Sequence, residues 1–259
     1  MKVGILGAML DEVKSIKQLM IIDRETQVGD KVYIEGSINS IDVVLTFSRW
    51  GKVAAASTAT TLIHKFNVDF MFFTGVAGAV HPMLNIGDIV IGDGYYQHDM
   101  DASPIFSKYQ IPLTNHILFE PRKTDVSNAS IAAEKFIQKI KSSIDNELLK
   151  KYSIVKPVVY RGIIASGDKF IANPSLHSDL SYEIGDRKTL AVEMEGAAIA
   201  QVCDGNIPYI VIRTISDKAD HSAVVDFQSF VTTIACQYSA GILNEYFHEL
   251  VSGKTVPMK

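Results

Sequence analysis

Short, strongly apolar runs alternate along this chain with longer segments of helical periodicity, and this alternation constrains the fold more than any other feature of the sequence. Six runs are rich in β-branched and aromatic residues and are bounded by Gly, Pro, Asn or Asp, which is typical of buried strands. They cover residues 3–6, 69–75, 87–93, 158–167, 189–195 and 208–217. Two alternating runs within 32–48 meet near Asn39 and Ser40, which predicts an antiparallel hairpin at the sheet edge. The pattern predicts an α/β fold with a mixed central β-sheet covered by helices.

Four segments between these strands carry helical patterns. They cover residues 52–65, 126–150, 195–205 and 227–250, and Asp125 is the predicted N-cap of the second helix. The stretch from Tyr95 to Arg122 contains three prolines and is the one extended irregular region. Loops of this length commonly serve as lids or subunit contacts.

Length and composition exclude several classes of protein. The 259 residues carry a net charge of −4 and are 47% apolar, so we expect one domain that spans residues 1–259. Lysines and arginines are scattered rather than clustered, which argues against a nucleic-acid partner. No apolar run approaches the roughly 20 residues of a membrane-spanning helix, so no membrane partner is expected.

The expected compartment follows from the N-terminus and the cysteines. Residues 1–7 lack the basic, apolar and cleavage regions of a secretory signal, so we expect a cytoplasmic location. Cys203 and Cys236 both fall in apolar helical stretches and are expected to be free thiols. No disulfide framework is implied by this usage of cysteine.

The common cofactor motifs are missing from the sequence. Gly253-Lys254-Thr255 has His248 where a P-loop needs glycine, and the turn at 75–78 lacks the G-x-G-x-x-G spacing of a dinucleotide site. There is no G-x-S-x-G, H-E-x-x-H or paired C-x-x-C motif. Residues 98–101 offer atoms that could bind a metal, but no second ligand cluster accompanies them. We therefore expect neither a cofactor nor a metal.

Three carboxylates follow strand ends, which is where ligands bind in an open α/β sheet. Glu12 comes shortly after the first strand, and Glu195 and Asp217 end the strands 189–195 and 208–217. Each residue taken alone is explained as well by helix-start chemistry, because carboxylates there complement the helix dipole or cap the helix. Taken together, the three carboxylates indicate a shared cleft.

Glu193 and Glu195 lie two residues apart, so they share one face of a strand. A buried carboxylate needs a partner, and Arg213 on the following strand is a candidate to pair with one of them. One of the two glutamates is therefore a candidate structural residue rather than a ligand-binding one.

Two further turns have open interpretations. The small residues at 75–78 allow backbone amides to approach a ligand closely, but they are equally compatible with a tight turn. The segment 166–171 ends a strand and carries Phe170, which either stacks on a planar ring or fills the core. Spacing alone does not decide between these alternatives.

Five segments together resemble one enzyme family. They are GILGAMLDE (4–12), GVAGA (75–79), SGDKFI (166–171), AVEMEGAAIA (191–200) and RTISDKAD (213–220). In this order they are similar to the 5′-methylthioadenosine/S-adenosylhomocysteine nucleosidases of the nucleoside phosphorylase superfamily. The resemblance implies a nucleoside phosphorylase-like fold and hydrolysis of the N-glycosidic bond of 5′-methylthioadenosine, S-adenosylhomocysteine or 5′-deoxyadenosine, which releases adenine and a ribose derivative.

The resemblance also implies roles for individual residues. Glu12 is then the general base that activates water, and Asp217, positioned by Ser216, is the general acid that protonates N7 of adenine. Glu195 holds the ribose hydroxyls, and Phe170 stacks on the base. The other substrate-binding candidates are Met9, Trp50, Val76, Ala77, Gly78, Ile171, Met194, Arg213 and Phe227.

This assignment of acid and base agrees with the chemistry of glycosidic cleavage. The sugar becomes oxocarbenium-like as the bond breaks, so the leaving base must be protonated and the nucleophile activated on the opposite side. We expect burial beside Ile215 and Phe227 to keep Asp217 protonated, while Glu12 stays ionised.

Three residues depart from the family pattern. Val76 stands where serine is common, Trp50 stands where an aliphatic residue is common, and Arg49 adds a positive charge near the expected water site. Arg49 keeps phosphorolysis open as an alternative, because a guanidinium binds phosphate in a bidentate manner. A non-catalytic nucleoside-binding or adhesion module is a second alternative, although pure binding needs neither an acid nor a base.

The resemblance finally implies partners and a cellular role. A small-molecule nucleoside is the expected substrate, and methionine salvage is the expected role. A homodimer is expected in which the 95–122 loop lies near the partner's site.

Overall fold

The computed structural model describes residues 1–173, 175, 180, 183–184, 187–219 and 227–252, and within them it contains a ten-stranded mixed sheet. The strands are β1 (Lys2–Gly7), β2 (Ile21–Val28), β3 (Lys31–Ile38), β4 (Ile41–Phe47), β5 (Phe70–Ala79), β6 (Ile89–Gln97), β7 (Val159–Ser166), β8 (Glu183–Ile184), β9 (Arg187–Glu193) and β10 (Tyr209–Asp217). Asp220 and residues 253–255, which were noted above, lie outside the described residues.

The helices are α1 (Leu10–Lys17), α2 (Lys52–Phe66), α3 (Lys123–Gln138), α4 (Ile140–Ser143), α5 (Asn146–Lys151), α6 (Gly196–Cys203), α7 (Phe227–Phe230) and α8 (Cys236–Val251), with a π-helical turn at Val231–Ala235. Helices α1, α3 and α8 pack on one face of the sheet, and α2 and α6 pack on the other. Apolar side chains of the central strands alternate between these two layers, so the sheet is buried on both faces. None of the helices in the described residues is both long and apolar enough to cross a bilayer.

One part of the sheet closes on itself. The strand order is β2-β3-β4-β1-β5-β10-β6-β7-β9-β8, and β5 also pairs antiparallel with β9. Strands β5, β10, β6, β7 and β9 therefore form a ring. Gly78 of β5 lies opposite both Asp217 of β10 and Val192 of β9, so the carboxyl ends of these three strands meet. Strand β1 runs parallel to β5 and ends at the same edge.

The structure confirms the predicted α/β class, the mixed sheet and the six buried strands. It also confirms the hairpin, whose turn places Asn39 and Ser40 at φ of 50° and 65°, as a type I′ turn requires. The prediction that this hairpin forms the sheet edge is wrong, because β2 pairs with β3 and lies outside it. The sequence of β2 gives no strand signal, since most of its side chains on both faces are exposed.

The predicted helix 126–150 is wrong as a single element. It divides into α3, α4 and α5, and Ile144 between the last two has extended backbone angles. The hydroxyls of Ser142 and Ser143 donate to the carbonyl of Lys139, which competes with helix propagation. Asp145 then starts α5 by accepting a hydrogen bond from the amide of Glu147 at 2.8 Å.

Two other helix predictions need correction. Asp125 is not an N-cap, because Arg122 occupies that position and Asp125 lies inside α3, where its Oδ2 is 2.7 Å from Arg122 Nε. The helix predicted at 227–250 is interrupted by the π turn at Val231–Ala235. Helices predicted at 52–65 and 195–205 match α2 and α6.

The predicted irregular region is confirmed over residues 98–122, whereas 95–97, which the prediction included, belong to β6. Phe119 in this region forms an isolated bridge with Tyr95 of β6. The prediction for the cysteines is also confirmed. Cys203 and Cys236 are buried free thiols.

Helices α3 and α8 approach closely at Gly241. A methyl group there would overlap the ring of Phe136, which is 3% exposed and packs edge-to-face against Tyr238. Glycine normally weakens a helix interior by ~1 kcal/mol relative to alanine. Its presence in α8 is therefore explained by the close contact between the two helices.

We predict that Gly241→Ala destabilises the protein despite the better helix propensity of alanine. Overpacking of a filled core costs roughly 1–3 kcal/mol, so the free energy of unfolding in urea should fall by about that amount. Adding Phe136→Leu should restore part of the loss, because it removes the ring that the methyl group overlaps. A single variant as stable as the wild type would contradict this account of the α3–α8 contact.

Candidate active site

A cavity opens where β1, β5, β9 and β10 end. Every residue predicted for the site lines the cavity except Arg213: these are Met9, Glu12, Trp50, Val76, Ala77, Gly78, Phe170, Ile171, Met194, Glu195, Ser216, Asp217 and Phe227. Four further lining residues, Ala8, Lys169, Val192 and Glu193, lie outside the predicted set.

Glu12 is fixed in place by backbone donors from two elements. Its Oε2 accepts hydrogen bonds from the amides of Ala8 (2.7 Å) and Met9 (2.9 Å) at the start of α1, and its Oε1 accepts from the amide of Val76 (3.1 Å). The side chain is fully enclosed, and burial raises the pKa of Glu12, although the charge of Arg213 and the three amide donors act in the opposite direction. A raised pKa suits a base that works near neutral pH.

Arg213 is a buried cation behind the cavity wall. It is 1% exposed, its Nη2 contacts Glu193 Oε2 and lies 3.5 Å from Glu195 Oε2, and its guanidinium lies 3.9 Å from the centroid of the Phe73 ring. The predicted pairing with one of the two glutamates is confirmed, and the partner is Glu193. The structure does not place Arg213 on the cavity surface, because its side chain is enclosed between these carboxylates and the ring.

Glu193 connects this cation to helix α6. Its carboxylate accepts hydrogen bonds from the amides of Glu195 (3.1 Å) and Gly196 (2.9 and 2.8 Å) and from the hydroxyl of Ser166. Ser166 in turn accepts from the amide of Ala197 at 2.7 Å. These contacts satisfy the free amides at the start of α6, so Glu193 anchors the helix as well as the arginine.

Glu195 has a different environment on the same segment. Its Oε1 accepts a hydrogen bond from the amide of Gly51 at 2.8 Å. Burial and the neighbouring charge of Glu193 raise the pKa of Glu195 to about 8, with Arg213 acting in the opposite direction. The cavity therefore contains a carboxyl group that is easily protonated beside the point where β9 ends.

Asp217 ends β10 at a break in the strand register. The pairing with β5 shifts between Ile215 and Asp217, and such irregularities re-aim a side chain. The Oδ1 of Asp217 accepts from the amide of Ala219 (2.7 Å), and its Oδ2 lies 2.7 Å from the hydroxyl of Ser216. A methyl group at Gly78 would come within 3.0 Å of Oδ1, so glycine leaves the space that the carboxyl group occupies.

An aromatic cluster forms one side of the cavity. Phe227 meets Trp50 edge-on at a centroid distance of 6.0 Å and meets Phe170 edge-on at 5.8 Å. Trp50 is 50% exposed and Phe170 is 43% exposed, so both rings have free surface for a planar ligand.

Arg49 does not contribute to the cavity surface. Its guanidinium Nη1 lies 2.7 Å from Asp30 Oδ2, and both side chains are more than half exposed. The structure therefore does not place the charge of Arg49 at the expected water site.

The sequence and the structure also match known proteins. The model of the phosphorylase superfamily matches residues 2–248. The chain is 39% identical over 245 residues to the 5′-methylthioadenosine/S-adenosylhomocysteine nucleosidase of Haemophilus influenzae (strain PittEE), an alignment that covers 94% of this chain and 97% of that relative. This chain belongs to that nucleosidase family, within the phosphorylase superfamily.

Solved structures confirm the nucleoside phosphorylase-like fold of this family member. The 5′-methylthioadenosine/S-adenosylhomocysteine nucleosidase from Neisseria meningitidis, in complex with methylthio-immucillin-A, superposes with a TM-score of 0.82 at 29% identity and covers 96% of this chain and 99% of its own. The futalosine hydrolase of Helicobacter pylori strain 26695 superposes with a TM-score of 0.79 at 32% identity, covering 96% and 98% of the two chains.

Some of the lining residues that were not predicted for this nucleosidase have a signal in the sequence, and others have none. Glu193 has a signal in the sequence, because a buried strand with two carboxylates and a following arginine implies one structural pair. Lys169 and Val192 have none, since nothing in their local pattern indicates that β7 and β9 end at one cavity.

We predict that Glu195→Gln stabilises the fold at alkaline pH. Because the pKa of Glu195 is raised to about 8 from an ordinary 4.5, the native state holds a proton that the unfolded chain has lost between these values, and stability falls as pH rises through this range. A neutral amide removes that loss and retains the oxygen that accepts from Gly51. The thermal midpoint of the variant should exceed that of the wild type by roughly 2–4 °C at high pH.

The pH series supplies the control for this prediction. At pH values near the ordinary value of a glutamic acid, both proteins are neutral at this position and should unfold at similar temperatures. A variant that is less stable at alkaline pH would show that the ionised carboxylate is favourably paired, contrary to the direction of the pKa shift.

Proposed function

We propose that this chain hydrolyses the N-glycosidic bond of 5′-methylthioadenosine and S-adenosylhomocysteine, and also accepts 5′-deoxyadenosine. The observation that carries the proposal is the presence of two carboxyl groups with different surroundings, Glu12 and Asp217, in one cavity. The nucleosidases of the same family support the choice of substrate, because their names state these two nucleosides.

Glu12 is proposed as the general base. Water attacks C1′ of the ribose, and Glu12 takes the proton that the water loses. Its raised pKa brings it closer to working pH, where a base is most effective. The donors from Ala8, Met9 and Val76 hold the carboxylate in one orientation, so little reorganisation is needed during the reaction.

Asp217 is proposed as the general acid. It donates a proton to N7 of adenine while the bond from N9 to C1′ breaks, so adenine leaves as a neutral molecule. Ser216 and the amide of Ala219 fix the two carboxyl oxygens, and this contact with Ser216 supports the proposed positioning role. The proposal requires Asp217, which is 7% exposed, to carry its proton until adenine leaves.

The remaining residues of the site are proposed to bind the two halves of the nucleoside. Glu195 accepts hydrogen bonds from the ribose hydroxyls, with Met9 and Met194 packed beside the sugar. Phe170 stacks on the base, and the backbone at Phe170 or Ile171 contacts its edge. Trp50, Val76, Ala77, Gly78 and Phe227 complete the walls of the binding site, and Arg213 supports it from behind.

Hydrolysis is favoured over phosphorolysis by the charges at the cavity. Arg49 is engaged with Asp30 rather than facing the site. The Glu12 carboxylate, proposed to stand where the nucleophile is activated, repels a phosphate dianion at that position.

Adenine release from defined nucleosides is the direct test of the proposed reaction. Adenine should appear from 5′-methylthioadenosine and S-adenosylhomocysteine without added phosphate, and phosphate should not increase the rate. Chromatography of the products with 5′-deoxyadenosine and futalosine as further substrates measures the specificity. A strict requirement for phosphate would establish the phosphorolytic alternative, and binding without release would establish the binding module.

We predict that Glu12→Gln and Asp217→Asn each lower kcat by about two to four orders of magnitude, because each removes a proton transfer in the transition state. Asp11→Asn is the matched control, since Asp11 is the acidic neighbour of Glu12 in α1 but bonds to Gln228 at the surface. Its kcat should remain near that of the wild type. Equal thermal midpoints would show that the variants keep their fold, and near-normal turnover in either would refute its role.

We further propose a cytoplasmic homodimer that acts in methionine salvage. The thioribose product keeps the methylthio group, which supports a salvage role. Ile105 and Leu113 on the 98–122 loop are 81% and 92% exposed, and large exposed apolar side chains on a long loop favour a subunit contact. Residues 1–259 are proposed to form one nucleosidase domain.

A further inference from the structure

Three residues, from the start of α2 and from the loops after β6 and β7, form a closed ring of hydrogen bonds beside the cavity. Lys52 Nζ donates to Asp99 Oδ1 (2.6 Å), the amide of Asp168 donates to Asp99 Oδ2 (2.8 Å), and the amide of Lys52 donates to Asp168 Oδ1 (2.8 Å). We call Lys52, Asp99 and Asp168 the loop clamp. None of them lines the cavity or takes part in the reaction proposed above.

The ion pair of the loop clamp is shielded from solvent, although Asp168 is exposed. The side chains of Lys52 and Asp99 are 16% and 14% exposed, so solvent and salt screen this pair less than a pair at the surface. Burial favours a raised pKa for Asp99, but the hydrogen bonds from Lys52 and Asp168 hold that pKa below its usual value. Lys52 also donates to Gln97 Oε1 at 3.0 Å, and Gln97 donates to Gln201 of α6 at 2.7 Å. The ring is therefore a charged contact that is joined to the core.

Each side of the loop clamp continues directly into a different half of the site. Gly51, immediately before Lys52, donates its amide to Glu195 Oε1 at 2.8 Å. Asp168 is followed at once by the lining residues 169–171, which carry the proposed contacts to the base. The two loops are in contact here, because a side chain at Gly51 would lie 2.9 Å from Asp168 Oδ1.

From these contacts we infer that the loop clamp is a positioning device, which holds the carboxyl group of Glu195 and the segment 169–171 at a fixed separation. The inference rests on the proposed function. The base and the ribose of a nucleoside are a fixed distance apart. The two halves of the site must therefore be held at the matching separation to bind the nucleoside and align it for attack. Small misplacements of reacting groups reduce rates strongly. Free adenine contacts only the half of the site that binds the base, so its binding does not depend on this separation.

The test uses Lys52→Met and Asp99→Asn in the full-length protein. Each should lower kcat/KM for 5′-methylthioadenosine by about 10- to 100-fold, while the inhibition constant of free adenine changes by less than about threefold. The control is Lys135→Met, which breaks the ion pair between Lys135 and Glu249 (2.5 Å) that joins α3 to α8, with side chains 37% and 11% exposed. Its kcat/KM should equal that of the wild type, with a thermal midpoint like those of the clamp variants.

A chemical rescue separates positioning from a general structural role. Lys52→Cys, alkylated with 2-bromoethylamine, regains a primary amine at nearly the position of Nζ, and Cys203 and Cys236 are buried and protected from the reagent. The alkylated protein should recover most of the lost kcat/KM. Absence of recovery would overturn the proposal.

Two other results would also overturn it. One is a kcat/KM within threefold of the wild type in both clamp variants, and the other is an equal loss of affinity for adenine and nucleoside. Failure of the wild type itself to release adenine would instead refute the proposed function, so the two failures are distinguishable.

Discussion

The contact of the Arg213 guanidinium with the carboxylates around it is the interaction on which the site depends. The buried positive charge of Arg213 lies against Glu193 and Glu195. It also offsets part of the desolvation penalty of the Glu12 carboxylate. Charges in such an environment are strongly unfavourable unless they are paired and hydrogen-bonded. Glu193 serves as the fixed partner, which leaves Glu12 and Glu195 with incompletely compensated charge. Burial raises the pKa of both groups, and the charge of Arg213, which they share with Glu193, offsets this only in part.

The closed part of the sheet explains how these groups come together. Pairing of β5 with β9 brings Gly78, Val192 and Asp217 side by side at one edge. Glycine at 75 and 78 leaves room there, because a side chain at Gly75 would overlap both Arg213 and Glu12. The ends of the strands and the start of α1 position the carboxyl groups proposed as catalytic, and hydrogen-bonded loops form the walls around them. Precise geometry is thus combined with a cavity that opens to solvent.

The acidic residues at the strand ends were predicted from the sequence, but some of the strands and helices around them were not. A local sequence pattern shows both where a strand ends and where a carboxylate follows it, so it predicted Glu12, Glu195 and Asp217. The family resemblance added the roles that are proposed for them. Strand β2 escaped prediction because neither of its faces is buried in the core. The segment 126–150 is divided into three helices because the hydroxyls of Ser142 and Ser143 donate to a backbone carbonyl. The apolar periodicity of the sequence does not indicate such a contact.

The sequence by itself determined the α/β class, the buried strands and most of the residues that line the cavity. Apolar periodicity and local residue chemistry are properties of neighbouring positions, and the family resemblance supplied the rest. Only the tertiary structure decided that Arg213 lies behind the cavity, that Arg49 pairs with Asp30 and that Lys52, Asp99 and Asp168 form a ring. These contacts join residues far apart in the chain. Their existence depends on strand register and loop path, and no local pattern encodes either.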